Sequence, residues 1–255
     1  MQPNLVQPDR IQQLAAQSSY IFRGTVVRIN ATTVPIIPAS ETTAVVYVEE
    51  VISGKDLAGI VKQEITIQMR QPNSLQPKQQ VLFFANPIAF GKSVVVQEVG
   101  HLPSEGSGSS AGLAQMKAEL PLRQRLAQAD VIVQARVISA RPLQKEQRLL
   151  PSEHDPEWAE AILEPETTMK GNVPKRVSLL FPLSNDIAWF ASPKPKAGTE
   201  AVFLLQRPEK SLRPEMLRGI AAMAATVGTE RFTALHPLDV HPKEQIQHIK
   251  ALLAQ

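Results

Sequence analysis

The segment QSSYIFRGTVVRI, beginning at Gln17, returns in edited form as QADVIVQARVISA, beginning at Gln128. An internal repeat constrains a fold strongly, because each copy has to bury the same faces of the same elements. At the offset of 111 residues between Gln17 and Gln128, Tyr20, Phe22, Gly24 and Val26 align with Val131, Val133, Ala135 and Val137. Both copies therefore carry one apolar set at period two, the signature of a strand with one buried face. The small residue at the third inward position, Gly24 or Ala135, suits a bent strand that another backbone approaches closely.

Later landmarks keep the same order. AVVYVEEVISGK from Ala44 matches AILEPETTMKGN from Ala161, with Gly54 on Gly171. EITIQM from Glu64 matches RVSLLF from Arg176, and QQVLFFA from Gln79 matches TEAVFLL from Thr199. SVVVQEV from Ser93 has the weaker counterpart RFTALHPLDV from Arg231. Each segment is short, rich in Val, Ile and Phe, and bounded by Pro, Gly, Asn or Lys, as strands are. Helical segments precede the copies: PDRIQQLAAQ, with Pro8 at a first helical position, and LAQMKAELPLRQRLAQ. In the closing HPKEQIQHIKALLAQ, Pro242 is expected to open a helix whose Ile246, Ile249 and Leu253 form one stripe for docking on the second copy. PSEGSGSSAG, between the copies, has the composition of a flexible linker. The expected fold class is mainly β: two tandem five-stranded Greek-key barrels of the OB type, each with a flanking helix. They are expected over residues 1–103 and 113–255, joined by a linker at 104–112.

The second copy also resembles the netrin-like domains, which include the tissue inhibitors of metalloproteinases. ADVIVQARVISA, ILEPETTMKG, RVSLLF and TEAVFLL follow the order of that family's first four strands. The matching positions are Ala129 and Asp130 at the start of strand one, Lys170 and Gly171 after strand two, and Gly198, Glu200 and Leu204 around strand four. The resemblance implies the fold and a habit of binding other macromolecules. It does not bring the inhibitors' activity with it, because that activity uses an N-terminal cysteine on a protease zinc and this chain has no cysteine.

That absence also removes disulfides, thiolate nucleophiles and cysteine metal sites. No apolar run approaches the roughly 18 residues of a membrane span; GIAAMAATVG from Gly219 is too short. MQPNLVQPDR lacks the basic start and apolar run of a secretory signal, and the compartment and oligomeric state stay open. The net charge of +3 is carried by residues 116–255, since residues 1–115 hold 8 Lys and Arg against 8 Asp and Glu.

Three motifs invite catalytic readings and fail on their context. AFGKS, ending at Ser93, resembles the end of a phosphate-binding loop, but Asn86 stands where that loop needs its first glycine. GSGSSAG from Gly106 matches a dinucleotide fingerprint, yet it lies several residues past its strand, and Asp130 begins a strand where the ribose-binding acid should end one. The histidine clusters HPLDVH (His236, Asp239, His241) and SEHDPEW (Glu153, His154, Asp155) contain metal-ligating types without a fixed ligand spacing, so they read as solvated loops. No GxSxG occurs. No enzyme, cofactor or metal is expected.

OB-type barrels bind on the face of strands two and three, between the strand 1–2 and 4–5 loops. Both loops are long in the second copy, whereas the first copy's NPIAFGK is a short hairpin. Arg141, Arg148, Arg207, Arg213 and Arg218 lie on the long loops, and Trp158 and Trp189 flank the strands between. Arginine and tryptophan anchor macromolecular interfaces. The expected function is therefore a non-enzymatic module whose second barrel binds a protein or peptide. The alternative, single-stranded nucleic-acid binding, is disfavoured by 5% aromatic content and a nearly neutral first loop.

Overall fold

The computed structural model describes residues 8–89, 94–143, 156–214, 216–217 and 229–254. The chain is mainly β and divides into two compact units, residues 1–120 and 121–255, with sheets of five and six strands.

In the first unit, α1 (Pro8–Gln17) leads into β1 (Tyr20–Ile29), β2 (Thr43–Ser53), β3 (Glu64–Gln68), β4 (Gln80–Ala89) and β5 (Val95–Pro103). The strands pair in the order β1-β2-β3-β5-β4, and β4 pairs back onto β1. Only β3 and β5 run parallel. Phe22 and Phe83 stack at 5.1 Å inside this ring of pairings, among Val46, Ile67 and Val96. The alternate residues Ile21, Leu82 and Phe84 are also fully buried, in a second cluster with Ala15 of α1 and Leu113. Burial on both faces explains why YIF and VLFF are apolar without a break, where a one-sided strand would alternate.

The second unit uses the same plan. The helix α2 (Ser110–Gln128) carries Leu113 and Met116 into the first unit's outer cluster, and Leu122 and Leu126 into the second's. Then follow β6 (Val131–Pro142), β7 (Trp158–Lys170), β8 (Val177–Pro182), β9 (Glu200–Leu205), α3 (Pro208–Ser211), β10 (Arg231–Thr233), β11 (Val240–Pro242) and α4 (Ile246–Leu253). The sheet order is β10-β8-β7-β6-β9-β11, with β10 parallel to β8 as β5 is to β3. A single bridge, Gln206 to Thr233, links the chain after β9 to β10.

Six strands replace the five expected here. RFTALHPLDV divides because Pro237 opens a 3-10 turn, Pro237–Asp239, so its two ends pair with opposite sides of the sheet. Pro242 likewise ends β11 instead of opening the last helix, which begins at Ile246 after a 3-10 turn. The stripe on α4 docks as expected: Ile249 is fully buried, with Ile246, Leu252 and Leu253 beside Ile132, Val202 and Leu204.

The repeat is visible in backbone detail. Register shifts in β1 fall between Ile21 and Phe22, Arg23 and Gly24, and Val26 and Arg28. In β6 they fall between Ile132 and Val133, Gln134 and Ala135, and Val137 and Ser139, the same positions at the same offset. Each bulge sharpens the strand's twist, letting one strand pair along both edges. At Gly24 an added Cβ would lie 2.7 Å from the Tyr47 carbonyl oxygen, the close approach that the small residue implied.

The aligned glycines after strand two behave alike. Gly54 (φ 103°) and Gly171 (φ 77°) both occupy the left-handed region. A Cβ on Gly54 would lie 2.2 Å from the Tyr20 ring, and one on Gly171 would lie 2.5 Å from the Asp130 carbonyl oxygen. Each glycine thus seats the end of strand two against the start of strand one. Gly54→Ala and Gly171→Ala should each lower the unfolding free energy by about 2 to 4 kcal/mol, combining backbone strain with a clash, as measured by urea titration. A cost below about 0.5 kcal/mol at either site would contradict this equivalence.

Candidate functional site

Of the residues singled out on the long loops, Trp158 is only 7% exposed. It packs with Leu180 and Leu212 at the centre of a small cluster that also takes in Leu143, Met216, Leu217 and Leu235. Trp189 meets it edge-on at 5.9 Å. The chain after β9 thus covers the outer face of β7 and β8 with its own leucines, and the tryptophan serves to hold it there.

The arginines go to different places. Arg141 donates to Glu160, a buried carboxylate that also accepts from the Ser178 hydroxyl. Arg207 lies 6.0 Å from the centre of the Phe232 ring and 3.9 Å from Glu230. Arg213 is exposed, and its carbonyl accepts from the Leu217 amide. Arg148 and Arg218 lie outside the described residues.

A concavity of the second unit lies beside these positions, a groove of about 630 Å³. Its floor comes from the C-terminal end of α2 (Arg125, Gln128) and from Gln206, Lys210 and His236. Ala188, Ala191 and Ser192 of the β8–β9 loop form a wall.

Two acids set this floor, Asp239 buried and Asp130 partly so. Asp239, 1% exposed, takes Arg125 Nε at 2.8 Å and Nη2 at 2.9 Å, and also accepts from the His236 amide at 2.8 Å. Such a bidentate pair fixes the guanidinium plane. Arg125 Nη1 then donates to Gln128 Oε1 at 2.9 Å, which orients that amide. His236 Nδ1 accepts from the Leu238 amide, so the neutral ring carries its proton on Nε2. Asp130 holds Lys210 through one oxygen and the Arg207 amide through the other. Burial pushes the Asp130 carboxyl up, but the Lys210 and Arg207 hydrogen bonds and charges outweigh it, and its pKa lies below the ordinary aspartate value.

The wall is equally well built. Asp186 accepts from the Ala188, Trp189 and Phe190 amides, and Lys194 Nζ donates to the Trp189 and Phe190 carbonyls. On this loop Ile187 is 88% and Phe190 63% exposed. Sequence reading missed the groove, since its residues are scattered from Arg125 to Pro237 and only His236 and Pro237 fall in a cluster that the sequence singled out. Gln206, Lys210 and Ser192 give no signal on their own.

The motifs set aside on context have other work. Asn86 accepts from the Ser19 amide and donates to the Gln17 carbonyl, clamping the end of α1 to the start of β1; Gly91 to Ser93 of the rejected phosphate-loop match lie outside the described residues. In the segment expected as a linker, Arg23 donates to the Ser104 and Gly108 carbonyls and to the Ser104 and Ser107 hydroxyls. A phosphate cradle presents amide N–H groups, whereas this turn presents oxygens to a cation. His241 donates from Nε2 to the Leu238 carbonyl, and Asp239 is taken by Arg125. His154 lies outside the described residues, and among those described no three ligating side chains cluster.

Trp158→Ala should cost about 3 to 5 kcal/mol in urea unfolding, the value for a core aromatic; a loss under about 1 kcal/mol would return Trp158 to the surface. The depressed Asp130 carboxyl makes a contribution present above pH 3.8, its ordinary value, and lost as the pH falls through the lower folded value. Asp130→Asn should therefore be less stable than the parent at neutral pH, with the gap shrinking once the pH drops below about 3.8. A gap that persists unchanged in acid would show that the charge is not its source. No protein-family profile matches this chain, and no curated protein is significantly similar to it.

Proposed function

We propose that the chain is a non-enzymatic binding protein built on two OB-type, netrin-like barrels, and that the groove of the second unit takes a peptide segment of another protein. The strand order 1-2-3-5-4 with a parallel 3–5 pair, present in the first unit and followed in the second by β6 to β10, supports the OB-type reading. The positions carrying the family resemblance have scaffold roles consistent with it: Lys170 Nζ caps the last carbonyls of α2, and Gly171 seats β7 against Asp130.

The exposed pair Ile187 and Phe190, on the loop whose Ala188, Ala191 and Ser192 line the groove, carries the functional reading. Large apolar side chains cost free energy in water, at about 25 cal/mol for each Å² of apolar surface. The loop that displays them is pinned by Asp186 and Lys194, so their exposure is a property of the built loop. A rigid apolar edge beside a concave polar floor is the arrangement that anchors a peptide. Arg207 and Arg213, which bracket the lining segment from Lys210 to Ser211, would contribute at the rim.

The test is peptide selection from a random phage-displayed library on the full chain, followed by fluorescence anisotropy with the enriched peptides. Ile187→Ser combined with Phe190→Ser should weaken these peptides by about tenfold or more while leaving the melting temperature nearly unchanged. Peptides that bind the double variant as tightly as the parent would place the site elsewhere.

A further inference from the structure

The hydrogen-bonding capacity left unspent by Arg125, Gln128, Lys210 and His236 is one-sided, and we infer from it that the peptide bound there presents a carboxylate, from an Asp or Glu side chain, to the groove floor. This inference rests on the peptide-binding reading above.

Among Arg125, Gln128, Lys210 and His236, no side-chain acceptor on the floor is left without a donor. Arg125 spends Nε, one Nη2 proton and one Nη1 proton on Asp239 and Gln128, leaving an N–H on each terminal nitrogen. Gln128 spends its carbonyl oxygen on Arg125, so its amide protons remain. Lys210 spends one proton on Asp130 and keeps the others on a side chain 59% exposed. His236 accepts at Nδ1, which leaves Nε2–H. The acids that hold this array are poor competitors for its free protons. Asp239 is buried behind Arg125 with three donors already on it, and each Asp130 oxygen already has a donor.

A donor array held rigid from behind costs little to organise on binding, and it matches a group that only accepts. An ionised carboxylate is such a group, and its hydrogen bonds to charged donors are about twice as strong as neutral ones. A serine, amide or backbone segment would leave donors unmatched. Lys194, whose bonds among the described residues are to carbonyls, adds positive charge to the loop that carries Ala188 and Ala191. The exposed apolar pair Ile187 and Phe190 on the same loop favours a peptide, whose acidic residue can have apolar neighbours, over a polyphosphate strand with none.

The enriched peptides from the selection should share an Asp or Glu beside an apolar residue. A synthetic twin with that acid changed to its amide should bind about tenfold more weakly. Gln128→Glu, an isosteric change at an exposed position, replaces free donors with negative charge. It should weaken the acidic peptide about tenfold and the amide twin less than about twofold. Lys210→Gln, which can still donate to Asp130, should move the two peptides in the same unequal way. Equal affinity of parent and twin, or equal loss for both in Gln128→Glu, would overturn the carboxylate inference. Peptides without an acid that still depend on Ile187 and Phe190 would overturn it while leaving the peptide-binding reading standing. An empty selection, or indifference to Ile187 and Phe190, would overturn both. Oligo-dT binding that Gln128→Glu weakens, with no peptide enriched, would assign the floor to phosphates and overturn the inference.

Discussion

Each unit depends on its first strand pairing along both edges. β1 lies between β2 and β4, and β6 between β7 and β9, with no edge left over on either. A flat strand cannot serve two neighbours that curve toward each other, and the added twist comes from bulges. Three register shifts at equivalent positions in both copies supply it. Gly24 leaves room for the Tyr47 carbonyl in the first copy, and the buried Ala135 stands at the aligned position in the second. The inward residues then meet in one core, while the outward ones, Ile21 or Ile132, must be covered by helices.

The helices are tied to that strand through their ends. Lys117 Nζ donates to the Ala15 and Ser18 carbonyls at the end of α1, and burial lowers its pKa. Lys170 does the same for the Leu126 and Ala127 carbonyls at the end of α2. A cation placed on the exposed carbonyls of a helix end satisfies them and opposes the helix dipole. The two lysines come from unrelated elements, one a helix and one a strand, so the same physical need was met independently in each copy.

The copies diverge where the groove lies. In the first, β5 runs unbroken over nine residues against β3 and β4. In the second, the corresponding stretch stops at Thr233, turns at Pro237 and pairs again at Val240. The turn needs a buried anchor, which Asp239 and Arg125 provide. That anchor orients Gln128 and carries His236. The groove is thus a consequence of interrupting one strand of a duplicated scaffold, with the donor array produced by the bonds that stabilise the interruption.

Much of the scaffold was legible in the order of residues. Period-two apolar runs marked the strands, the offset of 111 marked the repeat, and Gly54 and Gly171 marked equivalent turns, because these signals depend on neighbours close along the chain. The break at Pro237 was present in the sequence, but its meaning depended on which strands its two ends would join. Trp158 and Trp189 could not be assigned from sequence, since a tryptophan's burial is set by whatever folds over it; here that is Leu212, 54 positions from Trp158 in the chain. The groove was invisible for the same reason. Arg125, Asp239 and Lys210 acquire their roles only from one another, and contacts between residues so far apart are decided when the chain closes on itself.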